Sequence, residues 1–488
     1  MEIYDLEPKV VWHNFYDLTQ IPRPSGHTQK VAQFLVDFAQ KNGAEGFIDK
    51  AGNVVMRKAA TPGYENRETV ILQAHMDMVP QKIKESTHNF ETDPIETYID
   101  GEWVKAKGTT LGSDDGMGVA IAMAVIESNQ IEHGPIEVLI TRDEETGMYG
   151  ADELESDTLT GKYLLNIDSE TEGEITIGCA GGEDVVANLE YQEIDIEPDN
   201  MLAFRISIKG LRGGHSGLEI NEGRANANKL MARLLYAAAG TRCAWLCSWH
   251  GGNMRNAIPR EGEAIVVTSK QKEQELKALV EKCNKLFNEE FYAVENGNIE
   301  LSIEPCEIPQ KAIPDEIQEN LINAVMAAHD GVLRFLPEIH DIVETSSNLA
   351  IVNVEGGKAQ IACLVRSASD SMKLWLCNSL RAAFSMAGMK VTLEGGYNGW
   401  QPNTQSAFVA EMEKVYEQMY GTKPKVLVVH AGLECALFST KYPEMEMASI
   451  GPTLRSPHTP DERCNIPSVA KSYEYVLGIL KNIPAKQA

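Results

Sequence analysis

The sequence predicts an α/β protein with a mainly parallel sheet, interrupted by an inserted α+β (ferredoxin-like) domain of two similar halves. Three observations predict it. From about Thr69 to Ile177, strand-like and helix-like stretches alternate, the pattern that builds a parallel sheet with helices on its faces. From about Glu183 the order becomes βαββαβ, the ferredoxin-like arrangement, and a similar but incomplete series follows. The last part of the chain returns to alternation. A chain of 488 residues also exceeds what one core organises. The expected division is 1–182 for the first part of the outer α/β domain, 183–396 for the insertion and 397–488 for the second outer part.

Within the first outer segment, "ETVILQAH" reads as a strand, "GMGVAIAMAVIES" as a helix, and "IEVLIT" and "KYLLNID" as strands. The first half of the insertion runs from strand "FRISIKG" through helix "ANANKLMARLLYAAAG", strands "CAWLCSWH" and "EAIVVTSK" and helix "KEQELKALVEKCNKLFNEEF" to strand "NIELSIEP". Its second half shows only strands "NLAIVNV" and "KAQIACLVRS", helix "DSMKLWLCNSLRAAFSMAG" and strand "MKVTLEGG". The closing segment alternates again, from helix "SAFVAEMEKVYEQMYG" to helix "SVAKSYEYVLGILKNI".

Bulk properties exclude several roles. A formal net charge of -27 disfavours nucleic acid and anionic membrane as partners, because both require basic patches. The longest apolar run, "VAIAMAVI", is far too short to span a bilayer. The start "MEIYDLEPKVVWHNF" has no basic leader and no apolar signal core, so a cytoplasmic location is expected. Nine scattered cysteines form no disulfide framework, and the one close pair, Cys243 and Cys247, has no second pair to complete a structural zinc site.

Chemistry-bearing residues collect where the strands should end. Ligands of open α/β sheets sit beyond the carboxyl ends of the strands. "VILQAHMDMV" brings His75 and Asp77 there, "VLITRDEE" brings Glu144 and Glu145, and "LLNIDSE" brings Asp168. "TTLGSDDGMG" puts Asp114 and Asp115 in a Gly-rich loop before a helix, and "SPHTPDE" supplies His458. Each alone could be a solvated turn or a helix cap. Together, two imidazoles and several carboxylates suit zinc, or two metals sharing a carboxylate.

The stretches "QAHMDMVPQK", "GTTLGSDDGMGVA", "TRDEETGMYGA", "NIDSE", "GGHSG", "TSSNLA", "HAGLEC" and "SPHTPDER" resemble the di-zinc metallopeptidase superfamily of carboxypeptidase G, aminoacylase and the bacterial dipeptidases. The likeness is greatest to its aminoacyl-histidine (cytosol non-specific) dipeptidase branch. That resemblance implies a catalytic outer domain, an inserted lid that closes over the substrate, and hydrolysis of unblocked dipeptides, Xaa-His among them. It implies two zinc ions per chain, with cobalt or manganese able to substitute. His75 and Asp168 would bind one ion, Glu145 and His458 the other, and Asp114 rather than Asp115 would bridge them. Asp77 would orient His75, and Glu144 would be the general base for a zinc-activated water. If Glu144 and Glu145 lie on an extended chain they point apart, which would allow this division of roles. In the lid, His215 would donate to the oxyanion and Asn256 and Arg366 would hold the substrate carboxylate, while Gly432 and Glu434 of the second outer part would approach the peptide.

The rival within the superfamily is a tripeptidase or an N-acyl amino acid hydrolase, which shares the metal ligands. A non-catalytic metal- or peptide-binding protein is opposed by the complete set of candidate ligands. A di-metal phosphoesterase is opposed by the lack of a phosphate cradle. The partner expected is a small peptide. Both a single chain with a doubled lid and a homodimer stay open.

Overall fold

The computed structural model describes residues 2–486. The chain divides into two compact units, one of Met1–Gly178, Trp400–Val428 and Leu433–Ala488, the other of Cys179–Gly399 with Val429–Gly432. Among the described residues, no helix is long and apolar enough to cross a membrane.

The first unit is built on an eight-stranded sheet. Its centre is parallel, with Ile136–Thr141 beside Val70–His75, then Tyr163–Asn166, then Glu446–Ser449. The flanking strands are antiparallel where their pairing is defined, so the parallel character predicted from alternation belongs to the middle of the sheet. All six residues of both Val70–His75 and Ile136–Thr141 are buried. Strands covered on both faces read as near-continuous apolar runs, and these do. The helix Ser113–Glu127 is buried along almost its whole length, as expected for a helix apolar all round. A small antiparallel sheet joins Thr97–Asp100, Trp103–Ala106, Arg463–Asn465 and Leu454–Arg455. Pairing of its last two strands closes residues 456–462 into a hairpin loop.

The second unit carries a nine-stranded antiparallel sheet. The neighbours Glu300–Cys306, Met201–Lys209, Gly262–Ser269 and Trp245–Gly251 make one ferredoxin-like half. The other half, in mirrored sequence across the sheet, is Val343–Glu355, Lys358–Ser367, Gly181–Glu190 and Lys390–Tyr397. The two halves meet where Trp245–Gly251 pairs with Val343–Glu355. Thus the half that looks incomplete in the sequence is completed by the strand Gly181–Glu190, which precedes the other half in the chain, and by the helix Asp315–Ala327. One core, including Phe204, Trp249, Phe287 and Phe384, runs under both halves. Nothing local in the sequence of Gly181–Glu190 reveals a partner about 170 residues away.

Candidate metal centre

The parallel strands deliver their polar groups at one edge. His75 ends its strand, Asp168 lies two residues beyond Asn166, and the Asp143–Glu145 run follows Thr141. His458 lies in the hairpin loop. These segments converge. His75 Nε2 is 3.2 Å from Asp114 Oδ1 and 3.5 Å from Asp168 Oδ1. His458 Nε2 is 3.1 Å from Asp114 Oδ2 and 2.9 Å from Glu145 Oε2. Asp114 therefore touches both imidazoles, one with each oxygen. Donor atoms of His75, Asp114 and Glu145 lie within 4.8 Å of one another, as do those of His75, Asp115 and Asp168.

The two adjacent aspartates are differently engaged. Asp115 accepts from the backbone N–H of His75 at 3.2 Å and of Gly118 at 3.1 Å, so both of its oxygens serve the local backbone. The peptide bond between Asp114 and Asp115 is cis.

The three carboxylates after Thr141 depart from an extended chain. Asp143 adopts a left-handed φ of 52°, and Glu144–Gly147 form a short helical turn. The extended geometry expected for Glu144 and Glu145 is therefore corrected; they separate because successive residues of a helix turn by about 100°. Asp143 stays out of the cluster, accepting from Gly26 N–H at 2.6 Å and pairing with Arg142 at 2.6 Å. Asp77 is fully buried and accepts from Ser25 Oγ at 2.7 Å, Glu144 N–H at 3.0 Å and Glu145 N–H at 3.3 Å. Its Oδ1 lies 3.4 Å from His75 Nδ1. One carboxylate thus sets the imidazole and the backbone of both glutamates.

Electrostatics show how strongly the cluster favours positive charge. Burial, with Asp168, Glu434 and Glu145 nearby and only His75 opposing, pushes the Glu144 carboxyl well above its usual range. Burial raises Asp168 to about 6 despite His75. Hydrogen bonds to Asp114 and then Glu145 raise His458 to about 11. Burial favours a neutral His75, but Asp168, Asp114 and Asp77 outweigh it and hold its pKa well above 6.5. Glu145 Oε1 is buried without a hydrogen-bond partner. Crowded carboxylates repel unless a cation joins them. The donor set of carboxylate oxygens and imidazole nitrogens fits zinc, so the residues present suit a divalent ion.

Glu434 sits lower. It is fully buried, its Oε2 accepting from Gln73 Nε2 at 2.6 Å and Thr141 Oγ1 at 2.7 Å. Burial raises it to about 8. Its other oxygen, Oε1, is buried without a hydrogen-bond partner, and its charge is felt at Glu144.

In the second unit, His215 pairs with Ala257 through the short strands Gly214–His215 and Ala257–Ile258. Its Nδ1 accepts from the N–H groups of Gly217 at 3.2 Å and Leu218 at 3.1 Å. An Nδ1 that accepts leaves the ring hydrogen on Nε2. Burial and then Arg366 lower the His215 pKa, which keeps the ring neutral. Arg366 is 6% exposed, donates to Tyr397 Oη at 3.3 Å, and has a buried Nε without a hydrogen-bond partner. Gly432 lies against Tyr397, where an added Cβ would stand 3.3 Å from the ring. Asn256 is exposed, and its carbonyl accepts from Ser216 N–H at 2.8 Å. His430 is buried with Nε2 2.7 Å from Ser346 Oγ and is lowered to about 3 by burial and Arg366.

The model for peptidase family M20/M25/M40 matches residues 71–482. The chain is 41% identical over 485 residues to the cytosol non-specific dipeptidase of Escherichia coli (strain K12), an alignment covering 99% of this chain and 100% of that protein. The solved structure of aminoacylhistidine dipeptidase from Vibrio alginolyticus matches with a TM-score of 0.93 at 42% identity, covering 100% of this chain and 99% of that one. Aminopeptidase PepT from Bacillus cereus, at 16% identity and a TM-score of 0.57 over 98% of this chain and 99% of that one, shares the fold. With its candidate metal ligands gathered at one sheet edge and the family match spanning most of its length, this chain belongs to peptidase family M20/M25/M40.

Proposed function

We propose that the chain hydrolyses unblocked dipeptides, Xaa-His dipeptides among them, in the cytoplasm with two zinc ions. His75 and Asp168 would hold one ion and Glu145 and His458 the other, with Asp114 shared. The observation that carries this reading is Asp114, whose two oxygens face His75 and His458 at 3.2 and 3.1 Å. The dipeptide activity is supported by the full-length relative named a dipeptidase. Zinc bound there would polarise the scissile carbonyl and acidify a water.

The chain's own groups do the rest. Glu144 takes the attacking water's proton and returns it to the leaving amine. Asp77 keeps Glu144 and Glu145 in their separate directions through its bonds to both backbone N–H groups. His215, neutral and with its hydrogen on Nε2, suits donation to an oxyanion. Arg366 offers a planar fork for the peptide's carboxylate, and Asn256 a neutral amide beside it. We place 1–182 and 397–488 in the catalytic domain and 183–396 in the lid.

Arg366→Ala is expected to weaken binding of a free dipeptide by roughly 1–3 kcal/mol, the worth of a charged hydrogen bond, and to spare its C-terminal amide. Steady-state kinetics on the two substrates measure this, and equal losses on both would remove Arg366 from the carboxylate. His215→Ala is expected to lower turnover by roughly 100-fold or more, as for a lost oxyanion donor. Unchanged turnover would leave His215 as a turn residue. The function itself is tested on a panel of free dipeptides, free tripeptides and N-acetyl dipeptides. Preference for the last two would establish a tripeptidase or an N-acyl amino acid hydrolase instead.

A further inference from the structure

Glu462 stands four residues after His458 and belongs to none of the roles above. It is 2% exposed, yet its carboxylate is saturated. Oε2 accepts from the N–H groups of Leu111 at 2.8 Å and Gly112 at 3.0 Å. Oε1 accepts from Ser113 N–H at 2.8 Å, Ser113 Oγ at 2.7 Å and Asp114 N–H at 3.3 Å. Five donors from four consecutive residues converge on one side chain that lies 351 positions from the first of them.

The opposite side of the same segment is also held. Arg23 is buried, and its guanidinium donates to the carbonyl of Gly112 and to those of Met76 at 3.0 Å and Asp77 at 3.2 Å. Residues 111–114 are therefore gripped through their N–H groups by Glu462 and through a carbonyl by Arg23. Such a grip is needed, because Gly112 has a φ of 69° and no side chain to cap the helix that follows. Asp114 must also meet two imidazoles that come from two other segments.

We propose that Glu462 is a positioning residue, which fixes Asp114 between His75 and His458 and so preorganises the centre for its metal ions. Because Glu462 and His458 share the loop closed by Leu454–Arg455 and Arg463–Asn465, one grip sets two ligand-bearing segments against each other. Groups behind the ligands commonly change metal affinity when mutated. The inference rests on Asp114 being a ligand. A plain helix cap would instead affect stability and leave metal affinity alone.

The test uses purified full-length protein stripped of metal, with zinc affinity read by competition with a chromophoric chelator. Amide exchange over residues 108–116 and the thermal midpoint are measured on the same samples. Glu462→Gln keeps the shape but turns an amide toward N–H donors. It is expected to fold, to exchange faster over 108–116, and to bind zinc roughly 10- to 100-fold more weakly. Ser113→Ala removes one of the five bonds and should weaken zinc in the same direction by less. Wild-type zinc affinity in folded Glu462→Gln would overturn the inference, and if that variant does not fold, wild-type affinity in Ser113→Ala would do so. Asp114→Asn separates the two ideas. If it keeps both ions, Asp114 is no ligand and the inference falls with that reading. If it loses an ion while folded Glu462→Gln retains wild-type affinity, only the inference falls.

Discussion

Glu144→Gln is expected to keep its metal ions and to lose turnover by roughly 100- to 10,000-fold, the range for a lost general base. The two glutamates are neighbours in sequence but not in circumstance. Glu145 Oε2 stands 2.9 Å from His458 Nε2, and its Oε1 is buried without a partner, so it is placed to hold an ion. Glu144 has its pKa lifted well above the usual carboxylate range by burial and by the surrounding carboxylates, and a carboxylate that readily takes up a proton suits a general base. Glu145→Ala should therefore lose one metal along with activity. Metal analysis beside single-turnover kinetics distinguishes the two variants. Two ions retained in both would refute the division of labour, and an ion lost from Glu144→Gln would reverse it.

The candidate residues that stand out in the sequence are those marked by contrast. Strands buried on both faces are almost wholly apolar, so His75, Glu144 and Asp168 stand out where each strand ends. The rest depends on partners far away in the chain. Arg23 and Glu462 look like ordinary loop residues until residues 111–114 are placed between them. What Asp143 does is hidden in the same way, because only the left-handed turn and the Gly26 N–H show it as an anchor. The partners of Glu434 are hidden for a similar reason, since Gln73 and Thr141 lie on strands some 300 residues earlier. Long-range pairing likewise hides the strand that completes the second half of the inserted sheet.

Removing metal should abolish hydrolysis completely, and adding zinc back should restore it. The cluster explains why the loss is expected to reach stability as well. Asp114, Asp168, Glu144 and Glu145 crowd one sheet edge, with His75 and His458 as the nearest cationic partners. Without an ion, those imidazoles hold protons in its place, and His458 is raised to about 11 by its bonds to Asp114 and Glu145. Zinc must displace such protons, because only a neutral imidazole can ligate. Uptake should therefore release protons, and affinity should fall as pH falls. A ligand that binds only the folded chain stabilises it by about 4 kcal/mol at a thousandfold excess over its Kd. Chelation should lower the thermal midpoint accordingly, and the shift should disappear in a variant lacking His75 and His458. Calorimetric titration in buffers of different ionisation enthalpy measures the proton release, and metal-free protein with full activity would refute the two-zinc reading.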